Sequence, residues 1–436
     1  MISFDRSFLR APRRAGSHVA LALALASGAV LAGGVVAAPA YAKKKEEAAP
    51  KTNYSKGFVA AYKPVADKVN SDKADLPALK GELETVKAAV ETDDDKMAAG
   101  QLIYNYGLKT TEIPVQREGM DMMLASGKVA PASLGQYQYV AGQLAYQEKD
   151  YPKARELVQA AIASGYTQND PEAMVAESYF NDNQEAAGLE YLAGVITARD
   201  AAGQEVPVTW VKRGLTVAYQ GNNGVEARRF SMLLIKHDPT ANSWSDAIAI
   251  ERSFFDYDDQ QQLDLLRLAR LTDGLRSERD YVDYLSAADA RRLPGEVKEV
   301  ADAGIAAGKL NANDVFVKEA VGIANGRIAA DKADLPGLAK DAAAASASAT
   351  TIQAAGDAFL SYGDFAKAEQ FYTAATSKAG LDQNRVLTRL GIAQVGLGKY
   401  DEAKATFAKV QGPRAPIAAL WSAYASQKAD TDTGAM

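Results

Sequence analysis

The chain has 436 residues, a net charge of −6, 47% apolar residues and no cysteine. An acidic balance argues against nucleic-acid binding, which draws its affinity from phosphates neutralised by Lys and Arg, and a chain of this size can bury a sizeable core without disulfide staples. Only two histidines are present, His18 and His237, too few for an ordinary zinc site, so no metal, no cofactor and no catalytic triad is expected.

The N-terminus reads as an export signal. Arg6, Arg10, Arg13 and Arg14 form a basic stretch, residues 19–38 an apolar one, and Ala40-Tyr41-Ala42 a small-x-small cleavage site. Cleavage after Ala42 places the chain in the periplasm and, because residues 1–42 carry four Arg and one Asp, takes the net charge from −6 to −9. An uncleaved anchor is the other reading of the apolar run, and Arg13-Arg14 leaves both general and twin-arginine export open. A membrane is met only through this segment or an envelope complex. Residues 43–56, a Lys, Glu and Ala tail without an apolar period, read as disordered.

Helices are expected over 57–70 and 76–90, broken at Asp75-Leu76-Pro77. Asp93-Asp94-Asp95 opens the next helix, where clustered acids complement the helix dipole and lack the spacing of a calcium loop. Ala99-Gly100-Gln101-Leu102 returns as Ala141-Gly142-Gln143-Leu144. Residues 138–161 read as a helical hairpin: Ala141, Gly142 and Ala145 present a flat face, Asp150 caps the second helix with Pro152 in its first turn, and Ala154, Val158 and Ala161 face back. The pattern continues as Ala176, Tyr179, Gly188 and Leu192, and more loosely as Trp210, Gly214, Ala227 and Leu234. Gly127 and Gly308 read as helix-ending glycines, since neither has the rest of a phosphate loop. His237, near a helix C-terminus, reads as a partner of the dipole.

Residues 273–340 are helical but hard to phase. Residues 331–336 repeat 72–77 letter for letter, which favours a duplicated module over chance. Residues 341–350, nearly all Ala and Ser, are the best domain boundary, as a linker or a solvated helix. The pattern then sharpens: Ile352, Ala355, Gly356, Phe359, Ala368, Tyr372 and Ala375, followed by Leu387, Leu390, Gly391, Tyr400, Ala403 and Phe407. A closing helix over 417–426 and a frayed tail at 428–436 complete the chain.

This recurrence resembles the tetratricopeptide repeat (TPR) family, whose period is about thirty-four residues. The resemblance is closest over 138–161 and 352–407. It implies an all-α superhelix, a TPR-like solenoid of antiparallel hairpins forming an elongated arc with an open inner wall. Two arrays are expected, at 57–272 and 341–427, with 273–340 as connector. Gly100, Gly142, Ala154, Ala161, Ala176, Gly356, Ala368, Ala375, Gly391 and Ala403 are the packing positions. The inner wall is then lined by Gln101, Tyr104 and Asn105, by Tyr139, Gln143 and Tyr146, and by Glu177, Phe180 and Asn181. Amides suit an extended peptide's backbone and rings its apolar side chains, although the tyrosines also read as fillers between hairpins. In the C-terminal pair the matching positions are Asp357, Leu360, Arg385, Thr388 and Val395, which differ in character. The expected function is a non-catalytic periplasmic scaffold for a protein or peptide partner in envelope assembly, secretion or polysaccharide export. A cell-wall glycan-acting enzyme using paired Asp or Glu and a passive structural spacer are the alternatives.

Overall fold

The computed structural model describes residues 52–71 and 75–433. The export signal, most of the expected tail and the first three residues of the repeated hexapeptide lie outside them. Among the described residues are twenty α-helices and no strand, an all-α helical-repeat superhelix. Helices α1 (Lys56–Asn70) and α2 (Lys80–Ala88) lead into six hairpins: α3 (Asp93–Thr110) with α4 (Ile113–Ala125), α5 (Pro131–Gln147) with α6 (Tyr151–Ala163), α7 (Pro171–Asn181) with α8 (Glu185–Ala201), α9 (Val208–Gln220) with α10 (Gly224–His237), α11 (Ala241–Phe254) with α12 (Asp259–Leu271), and α13 (Glu278–Ala288) with α14 (Pro294–Ala306). Beyond α15 (Val315–Ala343) come α16 (Ala349–Ser361) with α17 (Phe365–Ala375), α18 (Gln383–Gly396) with α19 (Tyr400–Phe407), and α20 (Ala415–Thr433). Each helix packs on the next in sequence, as short links between helices with one apolar face require.

The small residues sit where helices touch. A Cβ added at Gly142 would lie 2.5 Å from Val158 Cγ2, at Gly214 2.1 Å from Phe230 Cε1, at Gly356 2.8 Å from Tyr372 Cε1, and at Gly391 2.3 Å from Phe407 Cε1. The pairs 142/158, 214/230, 356/372 and 391/407 share one interval, so one hairpin geometry recurs along the chain. Gly100 meets the backbone of α4, 2.7 Å from Gly119 O. Ala154, Ala161, Ala176, Ala368, Ala375 and Ala403 are all buried. Gly127 and Gly308 both have a φ of 65°, a left-handed conformation that ends their helices.

The tail expected over 43–56 is docked in its described part. Asn53 N donates to Asp94 Oδ2 (2.6 Å), Ser55 N donates to Asp95 Oδ1 (3.0 Å), and Thr92 Oγ1 donates to Asn53 O (2.8 Å). Ser55 then caps α1 by accepting from Phe58 N. The acid cluster therefore does more than complement a dipole. Asp95 is fully buried and also accepts from the N–H groups of Glu91 and Thr92. Burial would raise its carboxyl, but these donors hold it below the ordinary range.

The described part of the first hexapeptide, residues 75–77, does not share the conformation of its counterpart at 334–336. Residues 331–336 lie inside the 29-residue α15, Pro336 included, whereas Leu76–Leu79 is a 3-10 turn with Pro77 near its start. Pro336 and Lys332, whose carbonyl loses its helical donor, are both exposed, so water can supply the missing bond. Residues 341–350 separate no domain either, because the described residues from Asn53 onward form one compact unit. Ile235, Trp244, Ile248 and Leu268 share a core with Phe359, Tyr372, Phe407 and Trp421. Helix α20 packs on α10, α12 and α18, with Trp421 Nε1 donating to Asp264 O (2.9 Å) and Gln427 Nε2 to Ile235 O (2.7 Å). The path from α12 round to α20 closes on itself, in place of the open arc expected there. Most of the stretch expected to fray at 428–436 is the last part of α20. No helix among the described residues is long and apolar enough to cross a membrane.

Candidate functional site

The first helices of successive hairpins, α3, α5 and α7, carry the nine wall positions, and α9 is the next first helix along the chain. Pro131 and Pro171 open α5 and α7, and Pro207 immediately precedes α9, so a fixed φ without a wasted donor starts each of the three. Side chains then link one hairpin to the next. Asn181 Nδ2 donates to Tyr146 OH (2.9 Å), joining α7 to α5. Arg213 of α9 grips Glu177 with two bonds, from Nε to Oε1 (2.5 Å) and from Nη2 to Oε2 (2.8 Å), and its guanidinium lies 5.2 Å from the Phe180 ring centre. Gln143 Nε2 donates to Tyr139 OH at 3.4 Å.

Three of the nine wall residues are packing residues in this structure. Tyr104 and Tyr139 are each 3% exposed and Phe180 is 9% exposed. Tyr139 stacks on Tyr166 at 4.7 Å between ring centres and donates to Asn169 O (2.9 Å), pinning α5 to the loop before α7. Burial, with Tyr137 nearby, pushes the Tyr104 hydroxyl up to about 12. Burial, with Tyr166 and Asp170, does the same for Tyr139. Gln101, Asn105, Gln143, Tyr146 and Glu177 remain half-buried and Asn181 exposed. Burial and then the Glu177 charge raise the Tyr146 hydroxyl, which stays protonated at neutral pH. The hydrogen bonds that Arg213 donates to Glu177 raise the arginine's pKa against the opposing effect of burial. The wall residues left accessible are the neutral amides of Gln101, Asn105, Gln143 and Asn181, the Tyr146 phenol and Glu177, which is paired with Arg213. Arg213 is the member that sequence reasoning missed; it stands beside Gly214 in the loosest of the N-terminal repeats, where the phase was hardest to read.

The matching positions of the C-terminal pair are filled from within. Leu360, Thr388 and Val395 are buried, and Asp357 and Arg385 belong to an ion cluster centred on α12. Asp264, fully buried, accepts from Arg267 Nη1 (3.0 Å), Arg389 Nε (3.2 Å) and Arg414 Nη1 (2.7 Å). Arg267 also forks onto Glu296 (2.8 and 2.7 Å), which accepts from Tyr284 OH (2.7 Å). Arg389 Nη1 reaches Asp357 (2.6 Å), which also accepts from Tyr372 OH (2.6 Å) and Arg385 Nη2 (2.7 Å). Burial alone would raise all three carboxyls. The arginines outweigh it, holding Asp264 and Glu296 below their ordinary range and Asp357 at about 2.

Elsewhere, His237 ends α10 with Nε2 3.3 Å from Asp200 Oδ1. A cleft of about 630 Å³ lies on α3 and α4 beside Lys96, Arg117 and Asp121, and none of the nine wall residues lines it. No protein-family model matches the chain, and no curated protein matches it at a significant level.

Proposed function

We propose that this chain is a TPR-like scaffold of the bacterial envelope, exported through its N-terminal signal, that holds an extended protein segment along α3, α5, α7 and α9. The observation that carries this reading is the chain of contacts from Tyr146 through Asn181 and from Glu177 to Arg213, with accessible amides on α3, α5 and α7. An extended segment presents a donor and an acceptor at nearly every residue, and an amide side chain can meet either. A wall without surplus charge suits a polar backbone better than a highly charged ligand. The carboxylates of the ion cluster do not suit a glycan-cleaving pair: Asp264, Glu296 and Asp357 are held low by arginines, whereas the general acid of such a pair needs a raised value.

Photo-crosslinking in living cells tests the proposal, with the reactive residue placed at Asn105, at Asn181 and, as a control, at Glu118 of α4. The same protein should be captured from positions 105 and 181 and not from 118. Capture from 118 alone sinks the groove. Export is checked separately by N-terminal sequencing of the mature chain, which should begin at Lys43.

A further inference from the structure

A different site lies where the closed path meets itself. A cavity of about 420 Å³ opens between the starts of α12, α16 and α18, with Gln260, Gln353, Asp357, Asp382, Arg385 and Arg414 among its lining residues. That volume falls within the range of small-molecule sites.

The charge around it does not balance. Behind the cavity, Asp264, Glu296 and Asp357 face four guanidiniums, those of Arg267, Arg385, Arg389 and Arg414. One positive charge is left over. Asp382, 3.7 Å from Arg414 Nε, offsets it weakly, because its side chain is 57% exposed and one of its oxygens already accepts from the N–H groups of Asn384 and Arg385. The surplus can be located. Arg389 uses Nε, Nη1 and Nη2 on Asp264, Asp357 and Gln260. Arg385 makes one side-chain hydrogen bond among the described residues, through Nη2 to the same Asp357, and its Nε is shut off from water without an acceptor. Its side chain is 20% exposed and lines the cavity. A donor buried in this way forfeits its hydration with nothing in return, and burial together with the Arg389 charge lowers the Arg385 pKa. A carboxylate entering the cavity would supply the missing counter-charge to the accessible part of the Arg385 guanidinium.

The rim asks for the opposite charge. Asp258 and Asp382 are exposed there and aligned with the same opening. A bare anion meets their repulsion, whereas a molecule bearing a cationic end beside its carboxylate satisfies both. We propose that this cavity binds a small zwitterion, of free amino acid or dipeptide size, with its carboxylate on Arg385 and Arg414 and its ammonium on Asp258 and Asp382. The side-chain amides of Gln260 and Gln353 take the polar groups between. The ligand would bridge α12, α16 and α18, and so stabilise the closure of the path. None of these residues belongs to the groove on α3 to α9, so the two proposals stand or fall separately.

Isothermal titration of the full mature chain with L-alanyl-L-alanine tests it, against the C-terminal amide of the same dipeptide and against inorganic phosphate. Saturable binding of the dipeptide is expected, with the amide and phosphate weaker by about tenfold or more, a difference of one ion contact. Arg385→Gln and Gln353→Leu should each weaken the dipeptide by about tenfold. Gln353 lies outside the ion cluster, so its replacement removes an amide from the cavity wall without disturbing the charges that hold the fold. No saturable heat with the dipeptide up to ~10 mM overturns the proposal, since affinities in that range fall below specific recognition. Phosphate binding as tightly as the dipeptide, or unchanged affinity in both variants, overturns it equally.

Discussion

Replacing Asp264 with Asn removes one charge while keeping the side chain's shape. Arg267 retains Glu296 at 2.7 Å and Arg389 retains Asp357 at 2.6 Å, but Arg414 is left with Asp382 at 3.7 Å. One buried cation thus loses its close counter-ion. Breaking a buried pair from one side costs about 3–5 kcal/mol, a large part of the ~5–15 kcal/mol that holds an ordinary domain together. The loss should be local, because Asp264 joins α12 to residues after α17, so α18 to α20 should detach before α3 to α10. Trp421 is the reporter, since its indole N–H donates to Asp264 O. In a Trp210→Phe background the remaining tryptophans, Trp244 and Trp421, lie in one core. Urea titration followed by their fluorescence should show the variant unfolding at clearly lower urea. Adding Arg414→Met to Asp264→Asn should recover much of the loss, because the stranded cation is then gone. An unchanged midpoint in the single variant, or a double variant weaker still, refutes the reasoning.

Three further outcomes are expected. The carboxyls of Asp264, Glu296 and Asp357 are depressed on folding, so the stability they supply is present above about pH 4 and lost as pH falls through the depressed values, to about 2 for Asp357; a Trp421 fluorescence transition centred above pH 5 contradicts this. Gly142→Leu should overpack the α5–α6 hairpin by about 1–3 kcal/mol, and Gly214→Leu should cost more, as its Cβ would sit 2.1 Å from the Phe230 ring; melting temperatures equal to the parent's would disprove the packing. Asp95→Ala should cost about 1–3 kcal/mol by stranding backbone donors and speed hydrogen exchange at the Ser55 and Thr92 amides, and unchanged exchange there would show that the N-terminal segment is held by something else.

The helices and their contacts were legible because their causes are local. Asp150 accepting from Lys153 N and the constant interval between Gly356 and Tyr372 are both readable within one hairpin. The C-terminal closure was not, since nothing near Asp264 in the chain announces Arg389 or Arg414. Asp357 and Arg385 occupy the positions that the repeat pattern assigned to an open wall, but both are drawn into the ion cluster through Arg389. The hexapeptide at 331–336 misled for a related reason: six letters do not fix a backbone, and the exposed face of α15 lets Pro336 remain helical. At the wall itself, residue type was readable and depth was not. Tyr104 and Tyr139 share a helical face with Gln101 and Gln143, and only the neighbouring helix decides which side chains it covers.

Asp264 meets Arg389 and Arg414 across 125 and 150 residues of chain, and that separation orders assembly in time. Whether delivered from a ribosome or an export channel, α12 arrives with Arg267 as the sole partner of Asp264, long before Arg389 and Arg414. The earlier hairpins can form from neighbours in sequence as they emerge, while α12 must wait with a half-matched carboxylate that keeps its inner face wet. The helices after α17 are therefore the ones that close the seam, and a chain ending after α17 would keep its upstream hairpins yet never dry it.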